Sequence, residues 1–175
     1  MRMRRSLLPL LALGVALAPV PAAAGSTPPV APVALWSAPL DGVLRVTRPF
    51  DAPLTRYAAG HRGVDLGGSP GAPVLAAGDG TVVFAGLVAG RPVVSIDHAG
   101  GLRTTYEPVA PSVAAGQAVA RGSPIGTLSA GHRGCPSEAC LHWGLRRGEA
   151  YLDPLLLLEV PRVRLLPVPP FVADG

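Results

Sequence analysis

Between residues 41 and 160 the apolar residues come in short runs, and nearly every gap between runs holds Gly, Pro or Asp. Short runs bounded in this way read as strands joined by tight turns. The candidate strands are 43–47, 73–76, 80–85, 92–97, 102–106, 117–120, 125–129 and 141–146. No stretch keeps its apolar residues at helical spacing. The expected fold is mostly β: a single small antiparallel β-sheet domain of consecutive hairpins, with little helix. There is no internal repeat of the kind that builds solenoids or propellers.

The two ends of the chain differ from this middle. Arg2, Arg4 and Arg5 precede an almost wholly apolar run from Leu7 to Val20, and Ala22, Ala23 and Ala24 follow it. A basic start, a short apolar run and small residues at the cleavage positions make a secretory signal peptide over 1–24. Pro9, Gly14 and Pro19 interrupt the run, which is shorter than the ~20 residues a membrane span needs. No membrane span is therefore expected after cleavage. Residues 25–40 are rich in Pro and Ala and read as a linker. The domain is expected over 41–160, with a Pro-rich tail over 161–175. About 150 residues remain after cleavage, room for one domain with a real core.

Charge changes the picture only by exclusion. The chain carries 15 basic and 11 acidic residues, and every basic residue is arginine. Without the three arginines of the signal the balance falls to +1. That argues against nucleic acid or an anionic membrane as partner. Cys135 and Cys140 are the two cysteines, and in an exported protein a disulfide between them is expected. So short a loop contributes about 2 kcal/mol by chain entropy, so its role is to fix a local loop.

The candidate chemistry lies in two places. His61 and Asp65 stand in His61-Arg62-Gly63-Val64-Asp65, and His142 stands in Cys140-Leu141-His142-Trp143-Gly144. Gly63, Gly67 and Gly68 argue against a helix around the first pair. On an extended segment, positions four apart share a face. Residues 140 and 142 share a face of their candidate strand for the same reason, which turns Trp143 toward the core. Two imidazoles and a carboxylate are a common zinc set, and three protein ligands leave a fourth tetrahedral position open. Taken alone, His-x-x-x-Asp is equally a surface histidine and a turn-capping aspartate.

The wider context resembles a known family. HRGVDLGGSPGAPVLAAGDG, from His61 to Gly80, resembles the opening of the lysostaphin-type (LytM-like) zinc endopeptidases, metallopeptidase family 23. Three later stretches resemble the rest of that pattern in order. They are VVSIDHAGGLRTTYEPV from Val93, VAAGQAVARGSPIGTL from Val113 and CLHWGLRRG from Cys140. The resemblance spans 48–158. It implies a small antiparallel β fold with the metal in a groove across the sheet, and Zn2+ held by His61, Asp65 and His142.

Two further histidines of the family do not carry over. One follows a Tyr-x pair, and here Tyr106-Glu107 is followed by Pro108. The other opens His-x-His, and here that place is Cys140. In the family they assist the attacking water and stabilise developing charge. Positioned acid–base help contributes about 10²–10⁴-fold, and an electrostatic partner a similar factor. Three residues stand as replacements. His132 lies on the loop expected to overhang the groove. Glu107 is next to the vacant position, although strand alternation aims it at the other face unless Pro108 re-aims it. Cys140, if free, is a thiolate base or a fourth ligand. His98 reads as a turn residue. Arg62 and Arg103 read as solvated surface arginines, with contact to a substrate carboxylate as the alternative.

The resemblance implies a secreted, extracytoplasmic, cell-wall-associated monomer whose partner is the peptide of peptidoglycan. With both histidines missing, the expected role is binding wall material or regulating another wall hydrolase. The alternative is an active zinc endopeptidase with a replacement acid–base residue.

Overall fold

The computed structural model describes residues 35–55, 57–132 and 134–158. The signal over 1–24, residues 25–34 of the linker and the tail over 161–175 lie outside the described residues. Eleven strands are described: β1 (Val46–Arg48), β2 (Gly63–Gly68), β3 (Pro73–Leu75), β4 (Gly80–Val88), β5 (Arg91–Asp97), β6 (Leu102–Glu107), β7 (Val109–Pro111), β8 (Ala118–Val119), β9 (Pro124–Leu128), β10 (Ala139–Arg147) and β11 (Ala150–Leu152). Two short 3-10 turns, Ala99–Gly101 and Pro154–Leu157, are the only helical elements among the described residues.

The strands divide between two sheets rather than forming one. The larger runs β1-β2-β10-β6-β5-β4-β8, with β11 also paired to β10 beyond the end of β2. The smaller runs β3-β9-β7. Every pairing is antiparallel.

The alternation along β10 explains why a second sheet is needed. Leu141, Trp143 and Leu145 point one way and are buried. They sit in register with Leu66 and Val64 of β2 and with Tyr106 and Thr104 of β6. This makes an apolar face that must be covered, and each fully buried large side chain contributes about 1.5–3 kcal/mol. Val74 of β3, Val109 of β7, and Ile125 and Leu128 of β9 join the same core. The opposite face of β10 carries Cys140, His142 and Gly144. Core and chemistry thus share one strand, on opposite faces.

The domain begins earlier than 41. Ser37 N–H donates to Ala77 O at 2.8 Å and Leu75 N–H donates to Pro39 O at 2.9 Å. Leu40 is buried in the core. The Trp36 ring meets the His98 ring edge-on at 4.9 Å. The second half of the expected linker is therefore packed on the sheets.

His98 does stand at the turn before β6, but it is buried there. Its Nδ1–H donates to Asp79 O at 2.8 Å, and its Nε2 lies 2.7 Å from Thr104 Oγ1. Thr104 Oγ1 is in turn 3.0 Å from Tyr106 Oη, which accepts from Ala77 N–H at 2.9 Å. Burial lowers the pKa of His98 and so favours the neutral ring. Thr104 Oγ1 donates to Tyr106 Oη, so His98, Thr104, Tyr106 and the Ala77 amide form one connected run of buried polar contacts. This network pins β6 against the loop before β4 and has no contact with the groove.

Candidate metal centre

The first strand pair sets the site. Asp65 of β2 lies directly opposite His142 of β10 in the ladder, so both side chains leave the same face. Their neighbours Val64 and Leu66 are buried on the other side. His61 precedes β2 and is fixed by a two-bond bridge: His61 N–H donates to Asp51 O at 2.8 Å, and Asp51 N–H donates to His61 O at 3.0 Å. The side chains of His61, Asp65 and His142 converge from three directions.

Their ligand atoms form a small triangle. His61 Nε2 is 3.0 Å from Asp65 Oδ1 and 3.0 Å from His142 Nδ1, and His142 Nδ1 is 2.9 Å from Asp65 Oδ1. His61 Nδ1–H donates to Pro49 O at 2.7 Å. That bond fixes the tautomer and leaves the Nε2 lone pair facing inward, the usual arrangement of a metal-binding histidine. His61 and Asp65 are buried, and His142 is partly exposed at the groove. Two imidazole nitrogens and a carboxylate oxygen brought this close make a set that can hold a cation between them. Ligands about 2.0–2.1 Å from a tetrahedral zinc lie slightly farther apart than this, so the set closes around such an ion with little movement. Burial opposes ionisation of Asp65. The hydrogen bond from His142 and the charges of His132, His61 and His142 outweigh it and hold the carboxyl below its ordinary value. The residues therefore fit zinc, with one side open.

Gly63 makes the convergence possible. A methyl group at this position would collide with Trp143 O and lie 2.8 Å from His142 Nε2. Gly63→Ala is expected to destabilise the metal-loaded protein by about 1–3 kcal/mol through overpacking. Because the His142 ring has to give way, it should also lower zinc content. Denaturant melts and metal analysis of the same preparation check both effects.

The structure brings both candidate replacement residues to the groove. His132 Nε2 lies 3.5 Å from Asp65 Oδ1, and the His132 ring stacks over that of His142 at 6.2 Å with 13° between the planes. Its Nδ1 is buried without a hydrogen-bond partner. Glu107 lies directly opposite His142 in the ladder, and Tyr106 opposite Trp143. The alternation is thus the reverse of the sequence-based expectation: Glu107 faces the groove and needs no re-aiming by Pro108. Arg91 Nε donates to Glu107 Oε1 at 3.0 Å. The groove, of about 330 Å³, is lined by these two residues with Arg48, His61, Arg62, Arg91 and His142.

The third candidate is removed. Cys140 is fully buried and bonded to Cys135, with Cα atoms 5.7 Å apart. A disulfide sulfur is neither a thiolate base nor a zinc ligand. The cross-link instead joins the start of β10 to the loop that carries His132. Cys135 N–H donates to His132 O at 3.3 Å, and Arg45 hydrogen-bonds Ser137 within the same loop. Arg103 is ion-paired with Asp97 and does not line the groove, whereas Arg62 does. Arg48 and Arg91 are groove residues that the sequence reading missed. Arg48 sits on a three-residue strand with a bulge, and Arg91 at a hairpin turn, where no periodic signal marks a face.

These features agree with the comparisons. An uncharacterized protein of Mycobacterium tuberculosis is 58% identical over 127 residues, covering 70% of this chain and 51% of its own length. The chain thus spans about half the length of that relative. A zinc-containing peptidase from Vibrio cholerae superposes with a TM-score of 0.56 at 25% identity, over 70% of this chain and 38% of that one. The solution structure of lysostaphin gives 0.53 at 26% identity, over 66% and 50%. The model of Peptidase family M23 matches residues 59–154, from just before His61 to just beyond β11. With that match covering more than half of its residues, the chain belongs to peptidase family M23.

Proposed function

We propose that this chain is an exported zinc-dependent hydrolase of peptidoglycan peptides in which His132 replaces the family's missing histidines. The observation that carries the reading is the approach of His132 Nε2 to within 3.5 Å of Asp65 Oδ1. Zinc bound by His61, Asp65 and His142 supplies Lewis acidity and a water that ionises near neutral pH. The V. cholerae neighbour, a zinc-containing peptidase, supports that choice of metal.

The residues divide the remaining work. His61 is fixed as a ligand by Pro49 O. His132 is not fixed in the same way, because its Nδ1 has no partner. In this reading its Nε2, the nitrogen that faces Asp65, takes a proton from water and gives it to the leaving amine. Glu107 faces the same space, with its carboxylate held by Arg91. In this reading it accepts a hydrogen bond from the substrate or from the protonated His132. The face formed by β2, β10 and β6 holds these groups on rigid strands, and the cross-linked loop brings in His132.

A second reading keeps a specific observation of its own. Pro108 and the disulfide-bonded Cys140 occupy both histidine positions, which favours a domain that binds wall peptide or regulates a partner hydrolase without cutting. One assay separates the two. Zinc-loaded protein is incubated with purified peptidoglycan, and new amino groups are counted beside a metal-stripped control. The hydrolase reading expects steady, zinc-dependent release. Binding to peptidoglycan with no release above the stripped control would leave the binding reading in its place.

A further inference from the structure

We infer that the groove contains a carboxylate-recognition subsite, built on Arg48 and flanked by Arg62, for a peptide bearing a free carboxylate next to the bond presented to the metal. The inference rests on the reading that the groove takes a peptide, and adds the charge that peptide carries.

The argument begins with register. β1 is bulged between Val46 and Arg48, which puts Arg48 directly opposite Asp65. Arg48 is thus the cross-strand neighbour of a metal ligand, and its side chain lines the groove. The other charged groups there are already engaged. Asp65 faces three histidines. Glu107, the one carboxylate in the lining, is paired with Arg91. Arg62 is held by its donation to Ala58 O at 2.9 Å and by the Tyr151 ring, 5.3 Å from its guanidinium carbon. Among the described residues no carboxylate lies within ion-pairing distance of Arg48.

The lining therefore carries three guanidinium groups and one carboxylate. A divalent cation in the triad raises the positive charge further. A cleft of one sign with low-dielectric walls concentrates ligands of the opposite sign. Arginine is also the side chain best shaped for a carboxylate, because its planar fork donates two parallel hydrogen bonds. Through Arg91, Glu107 and His132 the groove adjoins a hollow of about 390 Å³, whose other lining residues are Gly90, Pro92, Pro108, Ala130 and Gly131. The arginine at that end is already paired with Glu107, so the carboxylate belongs at the Arg48 end.

The test measures binding, so it stands apart from whether the protein cuts. Calorimetry on zinc-loaded protein compares N-acetyl-Ala-Ala-Ala as free acid and as C-terminal amide. A second pair compares N-acetyl-Ala-Glu-Ala amide with its Gln counterpart, and all peptides are checked intact afterwards. The acid of at least one pair should bind about tenfold more tightly, the effect of one charge-assisted hydrogen bond. A preference in the first pair assigns a terminal carboxylate, and one in the second a side-chain carboxylate. Arg48→Gln, an exposed substitution, should reduce that preference to within about twofold while zinc content stays the same. Equal binding within both pairs would overturn the inference. So would a preference that survives Arg48→Gln unchanged, because the carboxylate would then be binding the zinc itself.

Discussion

His132→Ala should lower zinc-dependent release of amino groups from peptidoglycan by about 10²–10⁴-fold, the range for loss of a positioned acid–base group. Zinc content and thermal midpoint should stay near wild type. His132 lies on a loop, and its ring touches the site without belonging to the triangle of ligand atoms. The loss should fall on kcat and kcat/KM alike, as for an interaction made only in the transition state. A fall in zinc content instead would make His132 a fourth ligand, and a closed four-ligand site is structural rather than catalytic. Unchanged turnover would move the proton-transfer role to Glu107, whose carboxylate faces the same groove.

His142→Ala should abolish zinc retention and activity together. Removing a mere supporting partner of a ligand costs about 10–100-fold in metal affinity. Removing one of three ligands should exceed the upper figure, and it also removes the hydrogen bond that favours ionised Asp65. The fold should survive, because His142 points away from the core that Leu141 and Trp143 fill. Metal analysis after dialysis, with far-ultraviolet circular dichroism on the same sample, reads both. A variant that keeps stoichiometric zinc would show that the ion is held elsewhere.

The strands that carry strong apolar runs were legible in the sequence, and so was the face on which His142 lies. Period-two alternation in 141–146 puts Leu141, Trp143 and Leu145 opposite His142 in any sheet. β2 was harder to read because it is glycine-rich. Gly63, Gly67 and Gly68 look like turn residues, yet they belong to a strand crowded by His142 and Ser137 on its groove face and by Leu128 on its core face. The three-residue strands β7 and β11 are too short to show a period. Glu107 was placed on the wrong face because counting along a strand cannot give its register with β10. The position of His132 depended on a cross-link and a loop conformation, which no periodicity encodes. The triad itself was legible only through its wider context, since the bare spacing of His61 and Asp65 is common.

The cross-link between Cys135 and Cys140 bears on how the two parts of the site are held. The metal triad rests on hydrogen-bonded strands and a backbone bridge, and none of its members depends on sulfur chemistry. His132 stands three residues before Cys135, just outside the loop that the disulfide closes. Reduction of the disulfide would therefore leave the strand framework of the triad in place, while the segment that holds His132 against the groove would be fastened by hydrogen bonds alone.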